Sequence, residues 1–224
     1  MIEKVISFGC SFSDYMRHID KTYGECVAEE LGVEYIHEGS GAGSNQRIFR
    51  KFFEYLKNGT INENTLVTLQ FTQIGRDELW FHSLDGEKVD NETTTMNFIE
   101  PYDDGGVFKY KWDTHTWGIY FNEDLLRILK DKTDFCLNDN FEREKSENMA
   151  YSIVEICKSK NIPFVFLDGS YSGYMEFDKS DIKVVKYDDI RKKHPAIRPD
   201  GGKDELHTSQ DGMNEIAKRI LKLW

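Results

Sequence analysis

The chain has 224 residues, of which 39% are hydrophobic and 13% aromatic, so it is not a disordered chain. At this length we expect one globular domain over 1–224 that buries roughly 70% of the surface of its unfolded form. The 40 acidic residues exceed the 29 lysines and arginines, giving a net charge of -11. Since nucleic-acid binders usually carry a basic surplus, nucleic acid and anionic membranes are not expected as the main partners.

Strands and helices alternate in the first third of the chain. Apolar runs predict strands at 4–8, 33–37 and 65–71, and helical spacing of apolar residues predicts helices at 23–32 and 44–59. Ser44 is the expected N-cap of the second helix, because a serine hydroxyl readily accepts a hydrogen bond from the first turn.

Between Trp80 and Phe121 the alternation stops, and the sequence is rich in aromatic residues. Within this segment, GVFKYKW alternates like an exposed strand. We interpret 80–121 as an insertion after strand 3. Three roles remain open for it: a separate small core, a lid or substrate wall over the sheet, and a surface for self-association into a homo-oligomer.

The alternation resumes in the last third. A helix is predicted around 149–157, strands at 162–169 and 182–187, and a final helix after Ser209, preceded by a loop of about twenty residues from Tyr187 to His207. Apolar strands alternating with amphipathic helices indicate a parallel sheet covered on both faces. The predicted fold is therefore α/β, a three-layer α/β/α sandwich around a flavodoxin-like five-stranded parallel sheet of order 2-1-3-4-5.

The termini and the cysteines suggest a compartment. No charged head precedes a long apolar run, and no apolar stretch approaches the length of a membrane span. The four cysteines are scattered, without a Cys-x-x-Cys pair or metal-ligand spacing. We expect a cytoplasmic protein with reduced thiols and no metal site.

Polar loops follow three neighbouring strands at one edge of the predicted sheet. Ligands bind beyond the carboxyl ends of such strands, where the strand order reverses. Ser11 and Ser13 follow strand 1, and Thr72, Gln73 and Arg76 follow strand 3, while the glycine-rich GSGAGSN follows strand 2.

These residue types suit nucleophilic catalysis by serine. A serine hydroxyl needs a base, and a histidine oriented by a carboxylate can provide one. The stretch DELH supplies Asp204 and His207 just before the final helix. For the oxyanion, the backbone N–H groups of Ser11 and Gly43 are natural donors, and the amide of Asn45 or Gln73 can add a third. Ser13 suits a cap or a bond to its own loop better, and His37 a surface or packing role.

Three stretches together resemble the blocks of the SGNH (GDSL) hydrolases, esterases with a three-layer α/β/α fold: FGCSFSD, GAGSN and DELHTSQDGMNEIAKRI. The resemblance places the nucleophile on Ser11, the oxyanion glycine on Gly43, the orienting acid on Asp204 and the base on His207. It covers both ends of the chain and the sheet between them, but not the 80–121 insertion.

The sequence departs from the family in its third block. LQFTQIGRDE stands where Gly-x-Asn-Asp is usual, which resembles a divergent branch of microbial and phage proteins. Gln73, Thr72, Asn45 and Arg76 are the alternatives for the third oxyanion donor, and Arg76 suits an ion pair with Glu78 equally well. Cys10 replaces a common aspartate outside the triad.

The resemblance implies a serine esterase that acts on a small acyl ester through an acyl-enzyme and needs no cofactor. The aromatic insertion favours an O-acetyl group on a carbohydrate, because aromatic rings stack on sugars. Two alternatives remain. One is a nucleotide-binding module built on the glycine-rich turn, although the third glycine of the dinucleotide fingerprint is missing. The other is a degenerate hydrolase that only binds a glycan or a protein partner.

Overall fold

The computed structural model describes residues 1–10, 13–15, 19–39, 44–72, 76–78, 95–97, 113–114, 139–168, 180–198 and 201–224. Along the chain its elements are β1 (Lys4–Gly9), α1 (Tyr23–Leu31), β2 (Glu34–Gly39), α2 (Asn45–Lys57), β3 (Thr65–Leu69), β4 (Arg76–Glu78), β5 (Thr95–Asn97), β6 (Asp113–Thr114), α3 (Asp139–Ser159), β7 (Phe164–Asp168), β8 (Val184–Lys186), α4 (Tyr187–Lys193), β9 (Pro195–Ile197), β10 (Lys203–Thr208) and α5 (Gln210–Leu221).

Five parallel strands form the central sheet, in the order β2-β1-β3-β7-β8. This confirms the order 2-1-3-4-5 predicted from the sequence. β1 pairs with a neighbour on each side, so that Gly9 lies beside Gly39 of β2 and Phe8 beside Leu69 of β3. The carboxyl ends of the three strands therefore meet at one edge of the sheet.

Helices cover both faces of the sheet. Neighbouring residues along each strand point to opposite sides, so each strand contributes side chains to two separate cores. Val5 packs in one core with residues of α1, α4 and α5, such as Tyr23 and Ile216. Ile6 packs in the other core with residues of α2 and α3, such as Phe52. Each such side chain, once buried, contributes about 1.5–3 kcal/mol. The three-layer prediction is confirmed. Among the described helices, none has both the length and the apolar character that crossing a bilayer requires.

The insertion after β3 has a small antiparallel sheet of its own. β5 pairs with β4 on one side and with β6 on the other. This sheet begins at Arg76, a few residues before the predicted boundary at Trp80. The predicted exposed strand at 106–112 lies outside the described residues.

The predicted loop from Tyr187 to His207 is wrong, because this segment folds into α4 followed by the antiparallel pair β9 and β10. Tyr187 and Ile190 are buried against the sheet and anchor α4. A seven-residue helix offers only these two apolar positions, and β9 is three residues long. Neither element is long enough to produce a hydrophobic period in the sequence.

α5 packs tightly against the end of β10. A Cβ atom at Gly212 would come within 1.7 Å of Oγ1 of Thr208. That hydroxyl is buried and donates to the backbone oxygen of His194 at 2.7 Å. Glycine is therefore required at this helical position. The absence of a side chain at Gly212 lets α5 approach the end of β10 this closely.

We expect Gly212→Ala to destabilise the protein by about 1–3 kcal/mol through overpacking, although alanine is the better helix former by about 1 kcal/mol. Urea unfolding followed by circular dichroism measures the change. Lys218→Ala, at an exposed position of the same helix, should change the free energy of unfolding by less than about 0.5 kcal/mol. A more stable Gly212→Ala protein would contradict the packing described for Thr208.

Candidate active site

The carboxyl ends of β1, β2 and β3 are followed by the loops that carry most of the predicted site. Ser11, Gly43 and Gln73 lie outside the described residues, and for Arg76 only the backbone is described. Asn45, Thr72, Asp204 and His207 are described with their side chains. The described part of the site consists of these four residues and of the contacts that hold the ends of the loops.

Asp204 and His207 form a close pair. Oδ2 of Asp204 lies 2.8 Å from Nδ1 of His207, and Oδ1 accepts a hydrogen bond from the backbone N–H of His207 at 3.1 Å. Their side chains are 20% and 15% exposed, respectively. Both oxygens of one carboxylate thus hold one histidine, which fixes the orientation of its ring.

A bulge in β10 makes this pairing possible. In a regular strand, residues i and i+3 lie about 10 Å apart and point to opposite faces. Here Asp204 pairs with Ala196 of β9 and Thr208 pairs with the adjacent Pro195, so residues 205–207 are extra on one strand. Such bulges redirect side chains next to functional sites. Sequence reasoning selected the pair but gave no signal for the bulge.

The hydrogen bond to Asp204 assigns the tautomer of His207. An ionised carboxylate can only accept hydrogen bonds, so Nδ1 carries the proton in the neutral ring. Nε2 then has the lone pair that can take a proton from another group. This is the arrangement that a general base requires.

Tyr187, the first residue of α4, is buried in the same core as Cys10, which follows β1. Burial raises the pKa of its hydroxyl well above the usual value. Cys10 directly precedes Ser11, and Thr208 directly follows His207. Cys10 therefore shares a core with residues of α4 and α5, the two helices between which His207 lies in the chain.

Gln210, at the start of α5, makes a second connection. Its Oε1 accepts from the backbone N–H groups of Asp20 and Lys21 at 2.7 and 3.0 Å, and its Nε2 donates to the backbone oxygen of Lys21 at 3.1 Å. These bonds join the segment that follows His207 to the segment between β1 and α1.

Two glycines make room for the chain as it leaves β1. A Cβ atom at Gly9 would lie 2.2 Å from Oγ of Ser13, and one at Gly39 would lie 2.6 Å from the backbone oxygen of Ser13. Because Gly9 and Gly39 are neighbours in the sheet, Ser13 packs directly on the ends of both strands. The glycine of the FGCS stretch is thus required for close packing, which the sequence alone left unexplained.

The structure contains a second histidine–aspartate pair. Nε2 of His37 lies 2.9 Å from Oδ1 of Asp14, and Nδ1 lies 3.1 Å from the hydroxyl of Tyr35. The ring of Tyr15 packs on His37 at a centroid distance of 4.8 Å. His37 therefore ties the loop after β1 to β2, in line with the packing role expected for it.

The segment before α2 is held at both of its ends. Glu38 accepts from Arg47 at 3.0 Å and from the hydroxyl of Tyr55 at 2.6 Å. At the other end, Oγ of Ser44 accepts from the backbone N–H of Arg47 at 3.1 Å, which confirms Ser44 as the N-cap. The ends of the glycine-rich stretch, which includes Gly43, are therefore fixed by one arginine.

Asn45 binds the loop after β3. Its Oδ1 accepts from the backbone N–H of Thr72 at 2.7 Å, and its Nδ2 donates to the backbone oxygen of Thr72 and to Oγ of Ser146, both at 3.1 Å. All three residues are buried. These bonds use both N–H groups of the amide, which favours a structural role for Asn45 over the predicted role in oxyanion binding.

Within the described ranges, no three histidine, cysteine or acidic side chains are grouped so that they could hold a metal ion.

Solved structures with a similar fold include a lipolytic protein of the G-D-S-L family from Desulfitobacterium hafniense DCB-2, with 11% identity, a TM-score of 0.50 and 99% of each chain covered. A member of the same lipolytic family from Veillonella parvula DSM 2008 is 10% identical, with a TM-score of 0.50 over 99% of this chain and 98% of the other. An acetyl xylan esterase is 11% identical, with a TM-score of 0.50 over 98% of both chains. The chain has the GDSL hydrolase fold.

No protein-family model and no curated protein matches the sequence. At such low identity the likeness to GDSL proteins concerns the fold, and the assignment of an activity has to come from the side chains at the carboxyl edge.

We expect Asn45→Leu to lower the free energy of unfolding by at least about 2 kcal/mol, because the buried backbone N–H of Thr72 loses its acceptor. Urea unfolding measures this change. Asn58→Leu, at the exposed C-terminal end of the same helix, serves as the control and should cost less than about 1 kcal/mol. An Asn45→Leu variant that keeps the stability of the wild type would contradict the structural role of Asn45.

Proposed function

We propose that the chain is a serine esterase of the SGNH (GDSL) superfamily, which hydrolyses a small acyl ester through an acyl-enzyme on Ser11. The observation that carries the proposal is the Asp204–His207 pair, with both carboxylate oxygens bound to His207. The shared core of Cys10 with residues of α4 and α5 supports it, because these elements adjoin the proposed nucleophile and base in the chain.

In the proposed mechanism, Nε2 of His207 takes the proton of the Ser11 hydroxyl as the oxygen attacks the ester carbonyl carbon. The tetrahedral intermediate collapses by breaking the bond to the alcohol oxygen, which leaves with the proton from His207. Water then attacks the acyl-enzyme by the same route, the acid is released and Ser11 regains its proton. Asp204 remains ionised and stabilises the imidazolium. No step requires a metal or an organic cofactor.

The oxyanion is proposed to bind the backbone N–H groups of Ser11 and Gly43. For a third donor, the amide of Asn45 is bonded to the backbone of Thr72, and both residues are buried. Gln73 and Arg76 are therefore the preferred candidates, since a donor must be aimed at the position where charge develops.

For the substrate we propose an O-acetyl group on a carbohydrate. The aromatic residues of the 80–121 segment can stack on a sugar ring, and an acetyl xylan esterase shares the fold. The partner of the protein is then a glycan ester, with no role for nucleic acid.

We expect a fluorophosphonate probe to form one adduct, located on Ser11 by mass spectrometry. Ser11→Ala should abolish labelling, and His207→Ala should slow it by about 10²–10⁴-fold, the usual contribution of a general base. His37→Ala is the matched control, because His37 also pairs with an aspartate at 2.9 Å and is about as exposed as His207. Its labelling rate should stay within about threefold of the wild-type rate.

The labelling pattern separates the alternatives. Loss of labelling in His37→Ala but not in His207→Ala would transfer the role of base to the His37–Asp14 pair. A folded wild-type protein that takes no label on Ser11 would overturn the esterase proposal and favour a degenerate hydrolase fold that only binds its ligand.

Alanine variants identify the third oxyanion donor. We expect either Gln73→Ala or Arg76→Ala to lower kcat on p-nitrophenyl acetate by about 10²–10³-fold with little change in KM, since the donor acts only in the transition state. The other variant then serves as the control. If both variants retain kcat, neither of these two side chains is the third donor.

A further inference from the structure

A chain of buried hydrogen bonds lies beneath the end of β1. Oγ of Ser13 donates to Oε1 of Gln70 at 2.6 Å and lies 2.7 Å from the hydroxyl of Tyr23. All three residues have no exposed surface. Because the single proton of Ser13 goes to Gln70, Tyr23 donates to Ser13, and the chain runs from Tyr23 through Ser13 to Gln70.

The backbone ties the same residues to β1. The N–H of Gln70 donates to the oxygen of Phe8 at 3.0 Å, and the N–H of Ser13 donates to the oxygen of Cys10 at 2.9 Å. Both ends of the segment 10–13 are therefore anchored, Cys10 by β1 and Ser13 by the buried chain. Ser11 stands between them in the sequence.

Gln70 is not explained by stability alone. Its Nε2 is buried without a hydrogen-bond partner among the described residues. An unmade buried donor is destabilising, whereas an apolar side chain of the same length would carry no such penalty. A residue that breaks a local rule in this way is commonly found where function requires it.

We propose that Gln70 is a positioning residue, which acts through Ser13 to hold the loop of Ser11 in its reactive orientation. This inference rests on the proposed function. Gln70 lies two to six residues before Thr72, Gln73 and Arg76, the candidate oxyanion donors after β3. In this proposal its side chain does not itself contact the substrate.

The test compares Gln70→Met, Ser13→Ala and the double variant. Gln70→Met keeps the length of the side chain and removes both polar atoms, and the double variant also removes the hydroxyl that would be left without its acceptor. We expect each to lower kcat on p-nitrophenyl acetate and the rate of fluorophosphonate labelling about 10–100-fold, with KM within threefold. Because the two residues act as one unit, the double variant should fall no further than the single variants.

Thermal unfolding supplies the readout that separates positioning from a structural role. The double variant leaves the hydroxyl of Tyr23 without its acceptor, so its melting temperature should fall no further than that of a control that loses one buried hydroxyl elsewhere, while its labelling remains slow. Thr65→Val is the matched control: it removes a buried hydroxyl, bonded to the backbone oxygen of Thr60, at the opposite end of β3. It should lower the melting temperature and leave the labelling rate within about twofold.

Each outcome decides the matter. A folded double variant that labels at the wild-type rate overturns the inference and leaves the proposed function intact. A wild-type protein without label on Ser11 overturns the proposed function and this inference with it. If Gln70→Met does not fold, Ser13→Ala alone supplies the test, since it removes a single oxygen atom.

Discussion

The candidate site depends on the parallel pairing of β1 with both β2 and β3. That pairing places the ends of the three strands at one edge, and Gly9 beside Gly39. The two glycines leave the space that Ser13 fills, so the chain can turn over the sheet directly after Cys10. A side chain at either position would displace this turn, and with it the residue on which the proposed chemistry depends.

Several of the buried polar groups among the described residues lie at the same edge. The two faces of the sheet are packed with apolar side chains, whereas Gln70, Thr72, Asn45 and Glu38 lie at or beyond the strand ends with little exposure. Their hydrogen bonds fix the loops after β1, β2 and β3 relative to one another. Buried polar networks of this kind specify one arrangement of the loops, and the stability of the fold comes from the apolar layers.

The surroundings of His207, the proposed base, are built differently. His207 lies on a bulged strand outside the central sheet. Its position is fixed by its two hydrogen bonds to Asp204 and by the close packing of Gly212 on Thr208. The bonds of Gln210 to Asp20 and Lys21 hold the start of the helix that follows. These bonds span almost the whole sequence. The proposed base and the two ends of the segment 10–13, which carries the proposed nucleophile, are thus on separate elements, and each is anchored by its own local contacts.

The sequence alone determined the strands, the two helical layers, the cap at Ser44 and the pairing of Asp204 with His207, because these follow from hydrophobic period and from residues close together in the chain. The sheet order was predicted from the fold type that five parallel strands with alternating helices favour. Tertiary structure decided the rest: α4 and the β9–β10 pair, the bulge that brings His207 back to Asp204, the commitment of Asn45 to Thr72, and the Tyr23–Ser13–Gln70 chain. These features join residues that are distant in sequence, or lie in elements too short to produce a period. Their hydrogen bonds form only when the packed sheet has brought the partners together, and the identity of each partner cannot be read from the residues beside it.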